Sequence, residues 1–350
     1  MKGSAKKIIA MLLCIVMLLP LCACAGDSMT KQIFAMDTVI SLVAYGNEAA
    51  SGLSAAAGVI DSMNAALDPD LPSSYTSKLN AAEGEEVPVS SQVYEMLSTA
   101  MDVCQRSGGA LDLSVYPLYL AWGEFKEETG RIPDNDEILE LRKTMKFSKA
   151  TLTDIPGENE YFVKLPAETQ LSFGAVAKGC ASQYAIDAMR AVGVKSAIVS
   201  LGGNVQTLGK KPDGKLWTVA VEDPSAPGTN SYIGTLQVGE TAIVTSGSYQ
   251  RYFIGSDGVK YHHIIDPSTG KPVDNELVSV TIVCEDGTLA DCLSTAMFVL
   301  GEKKAIRYWR DNGGFDMILV SRDGRVTCTK GLIETFTLTN TSDYQATFVE

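Results

Sequence analysis

Histidine is almost missing from this chain: 350 residues hold two, and they are neighbours, His262 and His263. Near-neutral proton transfer therefore has one obvious address. No G-x-x-x-x-G-K-[ST] stretch occurs, and no G-x-G-x-x-G follows a strand, which excludes a P-loop enzyme and a standard dinucleotide fold. There is no C-x-x-C. The cysteines beyond residue 24 are Cys104, Cys180, Cys284, Cys292 and Cys328, odd in number and widely spaced, so they read as small buried hydrophobes. Two adjacent histidines without a thiolate cluster cannot build a tetrahedral zinc site. Basic residues are also short, 29 against 42 acidic ones for a net charge of −13. That balance argues against nucleic acid as a partner.

The one long apolar run lies at the start. Lys2, Lys6 and Lys7 precede Ile8 to Leu21, too short for a comfortable membrane span, and the run ends in Leu21-Cys22-Ala23-Cys24. This resembles a bacterial lipobox with Cys24 as the acylated residue; an ordinary cleaved secretory signal is the alternative. We expect residues 1–23 to be a lipoprotein signal peptide, 24–30 a tether and 31–340 a single domain. The protein is then lipid-anchored on the extracytoplasmic face of the bacterial cell membrane.

Periodicity in the remainder alternates between types. Gln32 to Tyr45 reads as a strand, and Glu48–Leu67, Ser91–Arg106 and Asp134–Met145 as helices. Leu171–Phe173 reads as a strand turning through Gly174 into a helix marked by Val176, Cys180, Tyr184 and Met189. Ala197–Leu201, Trp217–Val221, Val278–Val283 and Phe315–Val320 read as strands, and Leu289–Leu300 as a helix. The class is α/β (α+β), with mixed sheets flanked by helices.

Three segments carry chemistry. Thr245-Ser246-Gly247 and Tyr261 to Pro272 surround the histidines, and strand alternation lets only one imidazole face any given site. Asp291 and Thr295, four apart on a helix, present a carboxylate and a hydroxyl to one side, a donor set suited to Mg²⁺, although such a pair near a helix start is more often just a cap. Ser172 to Gly179 brings a strand through glycine into a helix, leaving backbone amides free for an anion with Lys178 in reach. Gly109–Leu118 and Ala35–Thr38 are weaker signals, except that Asp112 stands between two leucines and needs partners if buried.

In order, Met36-Asp37-Thr38, Ser74 to Asn80, Gly109 to Asp112, Gly174 to Gly179, Ser200 to Asn204, Thr245 to Gly247, His263 to Pro272 and Ala290 to Thr295 resemble the FAD:protein FMN transferase (ApbE) family. The resemblance implies an ApbE-like fold with the ligand cleft between two intimate halves. It also implies Mg²⁺-dependent transfer of FMN from FAD, the substrate, to a Thr or Ser hydroxyl, with AMP released. The acceptor would be a flavoprotein with a D-x-x-[ST]-G-A-[ST] segment. Met36, Ala110, Leu111, Asp112, Ser172, Lys178 and Ile265 would contact FAD. The Ala175 carbonyl, Asp291 and Thr295 would hold Mg²⁺, and His263 would be the base. The family more often carries Asp at positions 172 and 183 and an aromatic at 70, where this chain has Ser172, Gln183 and Asp70. An FAD pyrophosphatase and a non-catalytic flavin-binding lipoprotein are the alternatives. Mass spectrometry of the mature N-terminus is expected to find a lipid on Cys24; a free N-terminus elsewhere would remove the anchor.

Overall fold

The computed structural model describes residues 28–350, so Cys24 and the leader lie outside the described residues. Its centre is a nine-stranded sheet. The spatial order is Ser28–Ala35, Thr38–Tyr45, Ala197–Leu201, Asn204–Leu208, Thr241–Gly247, Leu277–Cys284, Asp316–Ser321, Arg325–Thr329 and Gln345–Val349. Neighbours run antiparallel except the final pair, which is parallel. The sheet takes in Ser28–Thr30 and Gln345–Val349, both outside the 31–340 span. The first hairpin keeps its register out to Ser28 opposite Tyr45, which draws the expected tether residues into the ladder.

Among the described residues seven α-helices accompany it: α1 (Ala49–Leu67), α2 (Tyr75–Asn80), α3 (Ser91–Arg106), α4 (Tyr116–Ala121), α5 (Asn135–Thr144), α6 (Ala177–Ala191) and α7 (Gly287–Asn312). On one face α6 packs between α1 and α7. The other face carries a three-stranded sheet, Phe336–Leu338, Tyr232–Val238 and Trp217–Glu222. Central strands are therefore buried on both sides, and alternate residues go to different cores. Val244, Met317 and Leu319 join the helix-side core, while Ile243, Ile318 and Val320 join the core under the small sheet. Two-sided burial explains why these strands read as near-continuous apolar runs. A third cluster, Trp122, Phe125, Ile138, Phe253 and Ile265, ties α4 and α5 to the Tyr252–Ile254/Lys260–His262 hairpin.

Three expected elements differ. Gln32–Tyr45 is two strands, because Met36 and Asp37 both take positive φ (51° and 57°) and close a two-residue hairpin. Leu171–Phe173 is extended but joins no ladder. The side chain of Asn80 holds it, accepting from the Leu171 amide at 2.8 Å and donating to the Leu171 carbonyl at 2.9 Å. Within Gly109–Leu118, a weak signal in the sequence, a 3₁₀ turn (Leu113–Val115) runs into α4. The helix from Leu289 starts at Gly287 and breaks after Leu300, where Gly301 has φ 74°.

Pairing fixes where the site lies. Ile40 opposes Leu201, Leu201 opposes Asn204, and Val205 opposes Ile243. The Met36–Asp37 turn, the Gly202–Gly203 turn and Thr245–Gly247 accordingly gather at one end of the sheet. α6 and α7 cross there at glycines. A Cβ on Gly179 would sit 2.1 Å from the Gly287 carbonyl oxygen and 2.5 Å from Asp291 Cβ. Gly179→Ala is expected to lower the urea midpoint by the equivalent of about 1–3 kcal/mol of overpacking. Gly58→Ala, in α1 with nothing within 4 Å of the new methyl, is expected to raise it by about 0.4–1 kcal/mol.

Candidate active site

The α6–α7 crossing places a carboxylate at a helix start. Asp291, 4% exposed in the second turn of α7, accepts a 2.7 Å hydrogen bond from the Gly179 amide. The Lys178 amide is near enough to favour its charged form as well. The expected free amides at the start of α6 are thus not free: this chain supplies its own anion. Val176 and Ala177 turn their amides back to the Phe173 carbonyl. Burial raises the Asp291 pKa, while Lys178, the two amides and Asn204 pull it down. The Asn204 Nδ2 is buried without a hydrogen-bond partner, yet the amide is close enough to favour the charged carboxylate.

Gln183 holds the start of α7 in turn. Its Oε1 accepts from the Gly287 amide at 3.0 Å and from Gln206 Nε2 at 2.6 Å. An amide oxygen here supplies the acceptor that an aspartate would, so the Gln183 departure keeps the junction.

One turn beyond Asp291, Thr295 comes within 3.4 Å of Ser246 Oγ, which is 2.8 Å from Ser294 Oγ. Thr245–Gly247 therefore lines the same place as Asp291 and Thr295. No group of three or more His, Cys, Asp or Glu suited to a metal occurs among the described residues. The donors here are oxygens, a carboxylate and a hydroxyl, and Ala175 precedes α6 by two residues. Such a set fits a hard cation that keeps water and phosphate ligands, and not a soft one. A buried carboxylate with raised proton affinity also gains from any cation brought beside it.

The two histidines divide their duties. His262, 6% exposed, places Nε2 2.9 Å from the Val273 carbonyl and accepts from the Ile264 amide at Nδ1. Both ring nitrogens are committed, which requires the neutral Nε2–H tautomer. The ring also meets Phe298 edge-on. His263 is half-buried and continues the ladder, its amide donating to the Arg251 carbonyl at 3.1 Å. Its Nδ1 is 3.2 Å from the same oxygen, a contact that makes Nδ1 the donor and leaves Nε2 with the lone pair. Dense packing is the main cause that brings its pKa down to about 3, followed by the charge of Arg251, with Lys178 adding to it. Lys178 thus acts on both Asp291 and His263, which unites the three.

The remaining expected contacts are arranged around this centre. The Met36 amide donates to Asn64 Oδ1 at 2.7 Å, so α1 pins the hairpin turn. Asp37 reaches to 4.0 Å from Arg251. Ala110 and Leu111 are buried, so their side chains belong to the packing and only their backbone can face a ligand. Asp112 accepts from the Ser114 amide (2.8 Å) and hydroxyl (2.5 Å), the partners a carboxylate between leucines requires. Burial still raises its pKa. The Ser172 amide donates to the Leu113 carbonyl and its hydroxyl accepts from Gly174, joining the 110–114 turn to the start of α6. The Ile265 side chain is committed to the Trp122 cluster. Sequence reasoning missed Asn64, Asn204 and Arg251 as site residues. Their signal is a lone polar residue inside an apolar or turn segment, which pattern alone does not assign.

The ApbE family profile matches residues 36–319. The FAD:protein FMN transferase of Treponema pallidum is 33% identical over 272 residues, spanning 75% of this chain and 74% of that protein. A crystal structure of an ApbE protein from Thermotoga maritima superposes with a TM-score of 0.79 at 29% identity, covering 87% of this chain and 98% of that one. The apo flavinyl transferase ApbE of Pseudomonas stutzeri gives 0.74 at 25% identity, covering 92% and 96%.

The state of His262 has a measurable consequence. Burial holds its pKa at about 4, below the roughly 6.5 of an unfolded histidine. The folded state therefore binds fewer protons. Its stability from this group is complete above about pH 6.5 and is lost as pH falls towards 4, by at most about 3 kcal/mol. Urea midpoints from pH 4.5 to 8 are expected to show a shallower acid limb for His262→Gln than for wild type.

Proposed function

The chain belongs to the ApbE family, and from that premise we propose that it is a transferase that moves FMN from FAD to a Thr or Ser hydroxyl of an acceptor protein, releasing AMP. The observation that carries the reading is the convergence of Asp291, Thr295, Lys178 and His263 at one end of the sheet. The names of the relatives support it.

In this reading the bond broken joins the FMN phosphorus to the oxygen shared with the AMP phosphate. The bond formed joins that phosphorus to the acceptor Oγ. The hydroxyl proton goes to His263 Nε2, and the bridging oxygen leaves with AMP. Asp291, Thr295 and the Ala175 carbonyl would hold Mg²⁺, which when bound neutralises phosphate charge. Lys178 adds a second positive charge, and phosphoryl transfer is mostly such neutralisation and positioning. Met36, Ser172, Lys178, Asp112, Ile265 and the Ala110–Leu111 backbone would bind FAD. The signal segment and Cys24 support placement as a lipoprotein on the outer face of the cell membrane.

Incubation with FAD, Mg²⁺ and a peptide bearing a D-x-x-[ST]-G-A-[ST] segment is expected to add the mass of FMN less water to the peptide. His263→Ala is expected to slow that transfer by about 10²–10⁴-fold, the usual worth of a general base, with FAD affinity little changed. Asp291→Ala is expected to abolish it. AMP release without peptide modification would identify a pyrophosphatase, and tight FAD binding without AMP a flavin-binding protein.

A further inference from the structure

A groove opens near the proposed base, lined by residues that are given no part in binding FAD or metal. It encloses about 290 Å³ and is lined by Trp122, Ile132, Ile138, Tyr261, Lys271 and the Asp134 region. A water takes about 30 Å³ of liquid, so the space admits a large side chain. The floor is apolar: Trp122 and Ile138 are buried, and Tyr261 stacks beside Phe253. Trp122 Nε1 already donates to the Gly270 carbonyl, so the floor presents a ring face and no unmet donor. Ile132 stands at the lip with 43% of its surface exposed. Asp134 is occupied as the cap of α5, whereas Lys271 forms no ion pair among the described residues.

The groove adjoins the base along the hairpin. Tyr261, which lines the groove, opposes Phe253 in the strand Lys260–His262. His263 follows that strand by one residue, its amide donating to the Arg251 carbonyl, so groove and base are two residues apart. A polypeptide that delivers a hydroxyl to His263 Nε2 in the proposed transfer can rest a neighbouring side chain on this surface.

We propose that the groove is the docking site for the acceptor protein, taking an apolar side chain of the extended segment that carries the acceptor hydroxyl. Lys271 at the lip favours an acidic residue next to that anchor. This rests on the transfer reading above, and its test keeps the two apart.

The probes are two fluorescein-labelled acceptor peptides with the D-x-x-[ST]-G-A-[ST] segment, one flanked by leucine and one by serine. Wild type is expected to bind the leucine peptide about tenfold more tightly, the scale of an interface anchor. Ile132→Asp and Lys271→Glu, both at exposed positions, are expected to weaken the leucine peptide and raise its KM by about that factor. Melting temperature, kcat and FAD affinity stay unchanged. Equal binding of the two peptides, or unaltered affinity in both variants, overturns the proposal. Loss of FAD affinity in the variants overturns it as well, by showing that the groove holds nucleotide. Leucine-selective binding that the variants weaken, without any FMN on the peptide, upholds the docking site and defeats the transfer reading instead.

Discussion

The arrangement of this site depends on one hydrogen-bonded contact, the Asp291 carboxylate against the first turn of α6. A helix start carries partial positive charge on its unpaired amides, and here Asp291 meets it from the side of a second helix. Close approach is possible because Gly179 and Gly287 have no side chains where the two backbones meet. That contact sets Lys178 beside the carboxylate. It also aligns the next turn of α7 so that Thr295 reaches Ser246. Three segments far apart in the chain are located by one interaction. The cost is a buried carboxylate with raised proton affinity, and that cost makes the position attractive to a cation.

The helix layer and the hairpin lobe meet the sheet end separately, which lets neighbouring histidines do different work. His262 faces α7 and gives both nitrogens to the backbone, locking the hairpin onto Phe298. His263 faces the other way and gives up only Nδ1. The strand ends at His262, and His263 follows it with a different set of partners.

Much of this was legible in the sequence because it rests on local pattern. The Val93, Met96, Leu97, Ala100, Cys104 stripe delimits α3 at the residues observed, and the Leu289–Leu300 reading stops where Gly301 breaks the helix. The Met36–Asp37 turn was hidden because Met36 is not a usual former of positive φ and no glycine follows Asp37. Leu171–Phe173 looked like a strand because Asn80, some ninety residues away, supplies the hydrogen bonds that a ladder would. Within the site, residue type and spacing single out Asp291, Thr295, Lys178 and the histidine pair, whereas the roles proposed for them rest on the family resemblance. That Asp291 occupies the α6 amides could not, since it follows from how two helices cross.

The low proton affinity of His263 follows from the same placement. An imidazole with a pKa of about 3 is a weak base, and beyond burial the causes are Arg251, His262 and Lys178. Two of those three are permanent cations in a chain whose net charge is −13. In the proposed transfer they would face the FAD pyrophosphate. An anion between Lys178 and Arg251 would offset their effect on the imidazole and add attraction for a proton, so both changes would raise the pKa. Burial, the largest cause, would remain. In that reading the base is strengthened in the step in which the phosphorus arrives, and is held neutral before it. The cations proposed to bind the donor would thereby couple its arrival to activation of the acceptor.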